Sequence, residues 1–504
     1  MDSHVPGAEP PTSRHGLSLP ISRRGALRRL GAFGLAAAAP IAALESLAWT
    51  PARAAQAAPG AYPDIQFDLA SFVPPARAID GVLMAMPPVY TLFVTARITR
   101  PSLPSRDDLQ ALAGAFATIE DTYPFRPDGV FLHAAYGLPY FRRLPARLLA
   151  AHLPIFRATG ESALQEAVPG PSDISPLNPG LSKRTFNNPV RVETNDLLLT
   201  LRSDSLAILH DVLGWLAGSG TLRGRPVASP AFDGLLRFTS ARTMFVQVGL
   251  PRRLAEKHQL PYAGRMNPQS PMWMGFFSQQ ANGFGPAEIA TFQGNASARF
   301  SGMHASGGVR QVSPDDYFYN GAIQVLAHDI LDLAQWYADD LPYVERVQLM
   351  YRSNPIPHAG YADQFADGGG PAALANPVAL NAPDGTSDAA LDATTNYRLG
   401  HLQALQRATR APDGTIVPQR VDGPGFDAMD VPDGSSQPKL QFSVFLPSAQ
   451  NFVRARRMAA APDLSPAKVS PAHNGIEPFM TVTRRQNFLC PPRRHRAFPL
   501  LELV

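Results

Sequence analysis

The sequence predicts an α+β fold made of two ferredoxin-like halves, with antiparallel sheets flanked by helices, and three observations carry that expectation. Proline supplies 51 of the 504 residues, which breaks long helices and favours short elements joined by turns. The first half runs strand, helix, strand, strand, helix, the order of a ferredoxin-like unit. The end of the second half then repeats the end of the first, with an apolar strand, a polar turn containing serine, and a helix.

Each element has its own signature. Val89 to Ile98 is rich in β-branched and aromatic residues and reads as a strand. Ser105 is placed to cap a helix with Asp108 three residues on, and Leu109, Leu112, Phe116 and Ile119 come after it at helical spacing. Gly129 to Ala135 and Asp196 to Leu201 are strands, and the second leads into an apolar helix, Ser205 to Ala217. Gly218 to Ala231, rich in Gly, Ser and Pro, suits a boundary between a first half at 81–220 and a second at 232–504. The second half opens on a strand-like Leu235 to Val248, passes from strand to helix over Gly321 to Tyr337, and closes with a strand at Lys439 to Leu446 and a helix at Ala449 to Ala459. The stretches Asp363 to Asn396 and Asp427 to Pro438 read as surface loops, and residues 55–80 as a linker.

Residues 1–54 read as an export signal. Ser22-Arg23-Arg24-Gly25-Ala26-Leu27-Arg28 matches the twin-arginine pattern, with Ala26 in place of the usual Phe. Leu30 to Leu44 is an apolar stretch of about 15 residues, short of the ~20 needed to span a bilayer, and Ala52-Arg53-Ala54 offers small residues for cleavage. A single membrane anchor is the competing reading. The mature protein is thus expected in the periplasm or outside the cell, meeting a membrane only through the export machinery. That route carries folded proteins, commonly with a cofactor already inserted.

Charge excludes several partners. All but four of the 45 basic residues are arginine, which reflects coding bias. Beyond residue 54 the chain holds 39 basic and 38 acidic groups, so it offers no electrostatic case for nucleic acid or an anionic membrane. A lone Cys490 forms no internal disulfide. No GxGxxG, Walker loop, HExxH, GxSxG or paired CxxC occurs, which disfavours dinucleotide enzymes, P-loop enzymes, zincins and ordinary serine hydrolases.

Four stretches resemble the dye-decolourising (Dyp-type) haem peroxidases: Val130 to Phe141, Asp196 to His210, Gly321 to Leu333, and the set Gly400-His401, Pro418 to Phe426 and Leu440 to Phe445. The resemblance implies the dimeric α/β-barrel variant of the fold and haem b as cofactor. It makes His401 the iron ligand, the alternative being a helix or loop histidine without metal. Arg420, nineteen residues on, becomes the distal arginine that would stabilise a peroxide anion, the alternative being a surface ion pair. Asp422 either accepts a proton or pairs with Arg420. Gly275, Phe442 and Phe445 would sit beside the cofactor.

One departure qualifies this. In Met274 to Asn282, Gly275, Phe276 and Asn282 fit the family's GxxDG stretch, but Ser278 stands where its aspartate should be. A serine hydroxyl is not a base near pH 7 without activation. Ala327-His328 likewise replaces residues that are usually basic. The resemblance therefore implies an exported peroxidase acting on phenolic or dye-like substrates, with hydrogen peroxide and a small aromatic reductant as partners and a homo-oligomer possible. The alternative is a haem-binding or cofactor-free relative that has lost catalysis. The run Thr483 to Arg496 reads as a solvated surface, or else as a set of arginines facing haem propionates or a partner. Tyr90, Tyr136, Trp273 and Trp336 read as core residues, electron relay being the sharper alternative.

Overall fold

The computed structural model describes residues 44–49 and, with short gaps, 62–276, 287–296, 309–350 and 397–504. The twin-arginine motif, the cleavage site, the loop at 363–396 and Ser278 lie outside the described residues. No described helix is long and apolar enough to cross a membrane.

The first half contains β1 (Tyr90–Ile98), α1 (Arg106–Thr122), β2 (Phe131–Gly137), β3 (Leu197–Ser203), α2 (Leu206–Leu216) and β4 (Leu236–Phe245). Its antiparallel strands are ordered β4-β1-β3-β2. Helix α1 begins with a capping box, in which Ser105 accepts from the Asp108 amide and the Asp108 carboxylate accepts from the Ser105 amide. Ser205 caps α2 in the same way through the Ile208 amide. The second half repeats the plan with β5 (Ala322–Leu331), α3 (Tyr343–Met350), β6 (Gly423–Asp427), β7 (Gln437–Leu446), α4 (Ala449–Ala460) and β8 (Met480–Cys490), ordered β8-β5-β7-β6. Both halves are thus βαββαβ ferredoxin-like units with fully antiparallel main strands.

The two units share one sheet because β8 pairs with β2 at Phe488↔Gly137 and Leu489↔Tyr136. The outer edges then curl toward each other. A Cβ on Gly425 of β6 would lie 3.0 Å from the Thr243 carbonyl of β4, so glycine eases that approach, and Trp273 donates to the Gly425 carbonyl at 2.9 Å. Strand alternation gives the sheet two distinct faces. Leu92, Val94, Leu132, Leu199, Leu201, Val325 and Val444 join the helices in the larger core, while Phe93, Ala135, Leu198, Met244, Leu326, Phe445 and Phe488 line the concave face. Tyr90, Tyr136, Trp273 and Trp336 are buried.

Three expectations are corrected. Strand β4 pairs with β1 along its whole length, so the first unit extends to residue 245; the turn-rich stretch before it is a small hairpin, Thr221–Leu222 against Arg225–Pro226, inside that unit. Residues 62–75 are no linker. The Gln66 side chain donates to the carbonyls of Ala134 and Pro491 at 3.0 and 2.7 Å and accepts from the Ala134 amide, and Phe67 stacks on Phe445 at 4.0 Å.

The third correction concerns the arginine-rich run, which is largely a buried strand rather than a solvated surface. Arg485 donates to both carboxylate oxygens of Asp173 at 2.7 and 3.0 Å, and both side chains are buried. Arg484 holds Asp430 and Glu193. Removing one partner of a buried ion pair strands the other charge. Asp173→Ala is therefore expected to cost about 3–5 kcal/mol in denaturant unfolding, whereas Asp128→Ala, which breaks an exposed pair with Arg126, should cost under about 1 kcal/mol.

Candidate functional site

Between the helix-facing side of the second sheet and α4 lies a cavity of about 950 Å³, counting the solvent at its mouth. Its floor follows from strand periodicity. Leu440, Phe442, Val444 and Leu446 of β7 point into it, as do Ala327 and Asp329 of β5. A two-residue strand, Gln419–Arg420, pairs with β7 at Arg420↔Val444, so Arg420 and Asp422 face the cavity while Val421 between them joins the opposite cluster. The roof is α4, capped by Ser448, which presents Asn451, Phe452, Ala455, Arg456 and Ala459 at helical spacing.

His401 opens a helical segment whose approach is held by Asn474, which accepts from the Leu399 amide at 2.6 Å and donates to the Ala459 carbonyl at 2.7 Å. Gly475, at φ +52°, runs so close that a Cβ would sit 3.0 Å from the His401 amide nitrogen. Burial depresses the imidazole, Glu477 opposes that shift, and Arg420 and Arg456 add to it, leaving the group at about 4. It is neutral at pH 7, the form that ligates a metal. Arg420 has the Asp422 carboxylate 3.8 Å from its Nε, too far for a hydrogen bond.

Behind these groups sits a charged cluster. Arg456 grips both oxygens of Glu477 at 3.1 Å, donates to Ser172 at 2.6 Å and lies 3.6 Å from Asp173. Burial would raise the Glu477 carboxyl, but Arg456 and Lys183 overcome it and hold the group at about 2. The residues suit a haem: a neutral imidazole for its iron, apolar walls on sheet and helix, and Arg456, whose Nε is buried without a partner among the described residues, for a carboxylate. Among the described residues no group of three or more His, Cys, Asp or Glu could hold a bare metal ion.

A family model matches residues 88–492. The chain belongs to the family of unknown function DUF7405. No curated protein matches it. Among solved structures, the DUF7405 chain is similar to a Dyp-type peroxidase protein of Shewanella oneidensis (13% identity, TM-score 0.44, covering 83% of this chain and 96% of that one). It is also similar to the encapsulated DyP-type peroxidase of Mycobacterium smegmatis (12%, 0.44, 85% and 97%) and to a variant of Rhodococcus jostii DypB in complex with haem (12%, 0.41, 82% and 96%).

Of the residues singled out from the sequence, the DUF7405 fold brings His401, Arg420, Asp422 and Phe442 to one cavity. It turns Phe445 to the other face of β7, against Phe67, because successive strand residues point oppositely. Gly275 is not a lining residue. It takes φ +83° in a turn where a Cβ would meet the Tyr337 hydroxyl at 2.9 Å. His328 also faces away, bonding Thr483 at 2.9 Å. Sequence reading missed Arg456 and Asp329. The signal for Arg456 was its place one turn after Phe452 on an amphipathic helix. Asp329 could have been read from its alternation with Ala327.

The close approach of Gly475 predicts a local cost. Gly475→Ala should destabilise the DUF7405 protein more than Gly434→Ala, since both require a left-handed residue but a Cβ at Gly434 meets open space. The strain common to both is about 1–2 kcal/mol, and the excess in thermal unfolding measures crowding against His401.

Proposed function

We propose that this protein is an exported haem oxidoreductase that reduces hydrogen peroxide at the expense of phenolic or dye-like substrates, with haem b held by His401. The observation that carries the reading is that His401 from one segment and Arg420 and Asp422 from another line one cavity. Haem would supply the two-electron chemistry that no side chain here provides. The neutral imidazole of His401 would hold its iron. The Arg420 guanidinium, always charged and forked, attracts a peroxide anion and stabilises charge that develops as the O–O bond breaks. Asp422, 3.8 Å away, offsets its charge. Leu440, Phe442, Val444 and Met480 exclude water, which strengthens both interactions. Hydrogen peroxide and a small aromatic reductant are the partners.

A second reading, a haem-binding protein without turnover, is favoured by the serine at position 278. The two are separated by peroxide kinetics. Purified protein should give a Soret band on haem addition, His401→Ala should lose that band, and Arg420→Ala should keep it while peroxide consumption falls about 10²- to 10³-fold. An unchanged spectrum in His401→Ala contradicts the ligand assignment, and turnover no faster than free haem supports the second reading. Export is tested apart from these: replacing Arg23 and Arg24 by lysine should leave the protein in the cytoplasm.

A further inference from the structure

Reduction of hydrogen peroxide to two waters consumes two electrons and two protons, so the reaction just proposed needs a side chain that exchanges protons. A guanidinium such as that of Arg420 is not a proton exchanger near neutral pH. A serine at 278 offers no acid near neutral pH. Asp422 is paired with Arg420.

Asp329 is a carboxyl in the same cavity with an oxygen left over. It lies on β5 where the pairing with β8 slips by one residue, between His328↔Arg484 and Asp329↔Val482, a bulge that aims side chains locally. It is 4% exposed, and its Oδ1 is buried with no hydrogen-bond partner among the described residues. The charged groups that face it are Arg485 from β8, Arg456 from α4, Asp173, Glu477 and Lys183. Arg485 and Arg456 lower the Asp329 carboxyl, and the carboxylates they hold, Asp173 and Glu477, oppose them. Burial prevails over the arginines, and the carboxyl is pushed up to about 7.

We propose that Asp329 is the proton-holding group of the His401–Arg420 cavity, filling the acid–base place that serine at 278 leaves without a carboxyl. The inference rests on the peroxidase reading above. Ionised Asp329 takes a proton from hydrogen peroxide as the hydroperoxide anion meets Arg420. It returns that proton to the departing oxygen when the O–O bond breaks, which releases one water. The other oxygen leaves as the second water after receiving two electrons and two protons from the aromatic reductant.

The first measurement needs no cofactor. Infrared spectra of the full chain without haem should show a protonated carboxyl band near pH 6 that fades as pH rises through about 7. The band should be absent in Asp329→Asn and present in Asp422→Asn. A raised native pKa contributes stability below the unfolded value that is lost as pH rises through the native one. The Tm of Asp329→Asn relative to the unaltered protein should therefore climb between pH 5 and pH 8. With haem loaded, Asp329→Asn should retain the Soret band and lose about 10²- to 10⁴-fold in peroxide consumption, and Asp329→Glu should recover part of it. Absence of the band, or a loaded Asp329→Asn that consumes peroxide at the unaltered rate, overturns the proposal while leaving haem binding intact. Failure of the unaltered protein to bind haem overturns the peroxidase reading instead.

Discussion

The buried pair of Arg485 and Asp173 is the interaction on which the rest of the molecule hangs. Asp173 belongs to the long connection of the first unit and Arg485 to the last strand of the second, so their bidentate contact fastens segments 312 residues apart. Two charges taken out of water remain tolerable only while each is fully paired. Arg456, Glu477 and Lys183 extend the pairing into a cluster that closes one end of the cavity. The same strand that carries Arg485 also pairs with β5 and β2, which makes it the seam of the shared sheet. Sheet continuity and the polar wall of the site thus depend on one eleven-residue strand.

This seam was the least legible part of the sequence. Its run of arginines looks like solvated surface because local pattern reports charge but not partners, and the matching carboxylates lie hundreds of residues away or on another element. The serine cap at 105 is legible because the capping residue and the amide it serves sit three apart in sequence. Strand β4 was placed in the wrong half for the opposite reason: the turn signals before it were correct, and only the pairing with β1 shows that the chain returns to its own unit. Residues 62–75 carried a linker's composition, yet a single Gln66 satisfies backbone groups at a sheet junction, which composition cannot express.

The site divides in the same manner. His401, Arg420 and Phe442 were reachable through resemblance, and strand alternation explains why Arg420 and Asp422 share a cavity while Phe445, three residues beyond Phe442, faces away. Alternation with Ala327 marks Asp329 as a lining residue, but the sequence does not show that its carboxyl lacks a partner. Its Oδ1 has no partner among the described residues, although Arg485 and Arg456 stand nearby holding Asp173 and Glu477. The cluster that secures the fold thus borders the carboxyl proposed to hold a proton in the His401 cavity.

Acceptance of haem by this cavity, with His401 at the iron, is the central claim, and a crystal structure of the protein grown with haem measures it in one step. The expected result is iron bonded to the His401 imidazole, with the macrocycle between the β7 floor and α4 and Arg420 on the face opposite the histidine. Haem seated elsewhere, or iron held by another side chain with His401 still unligated, would contradict it.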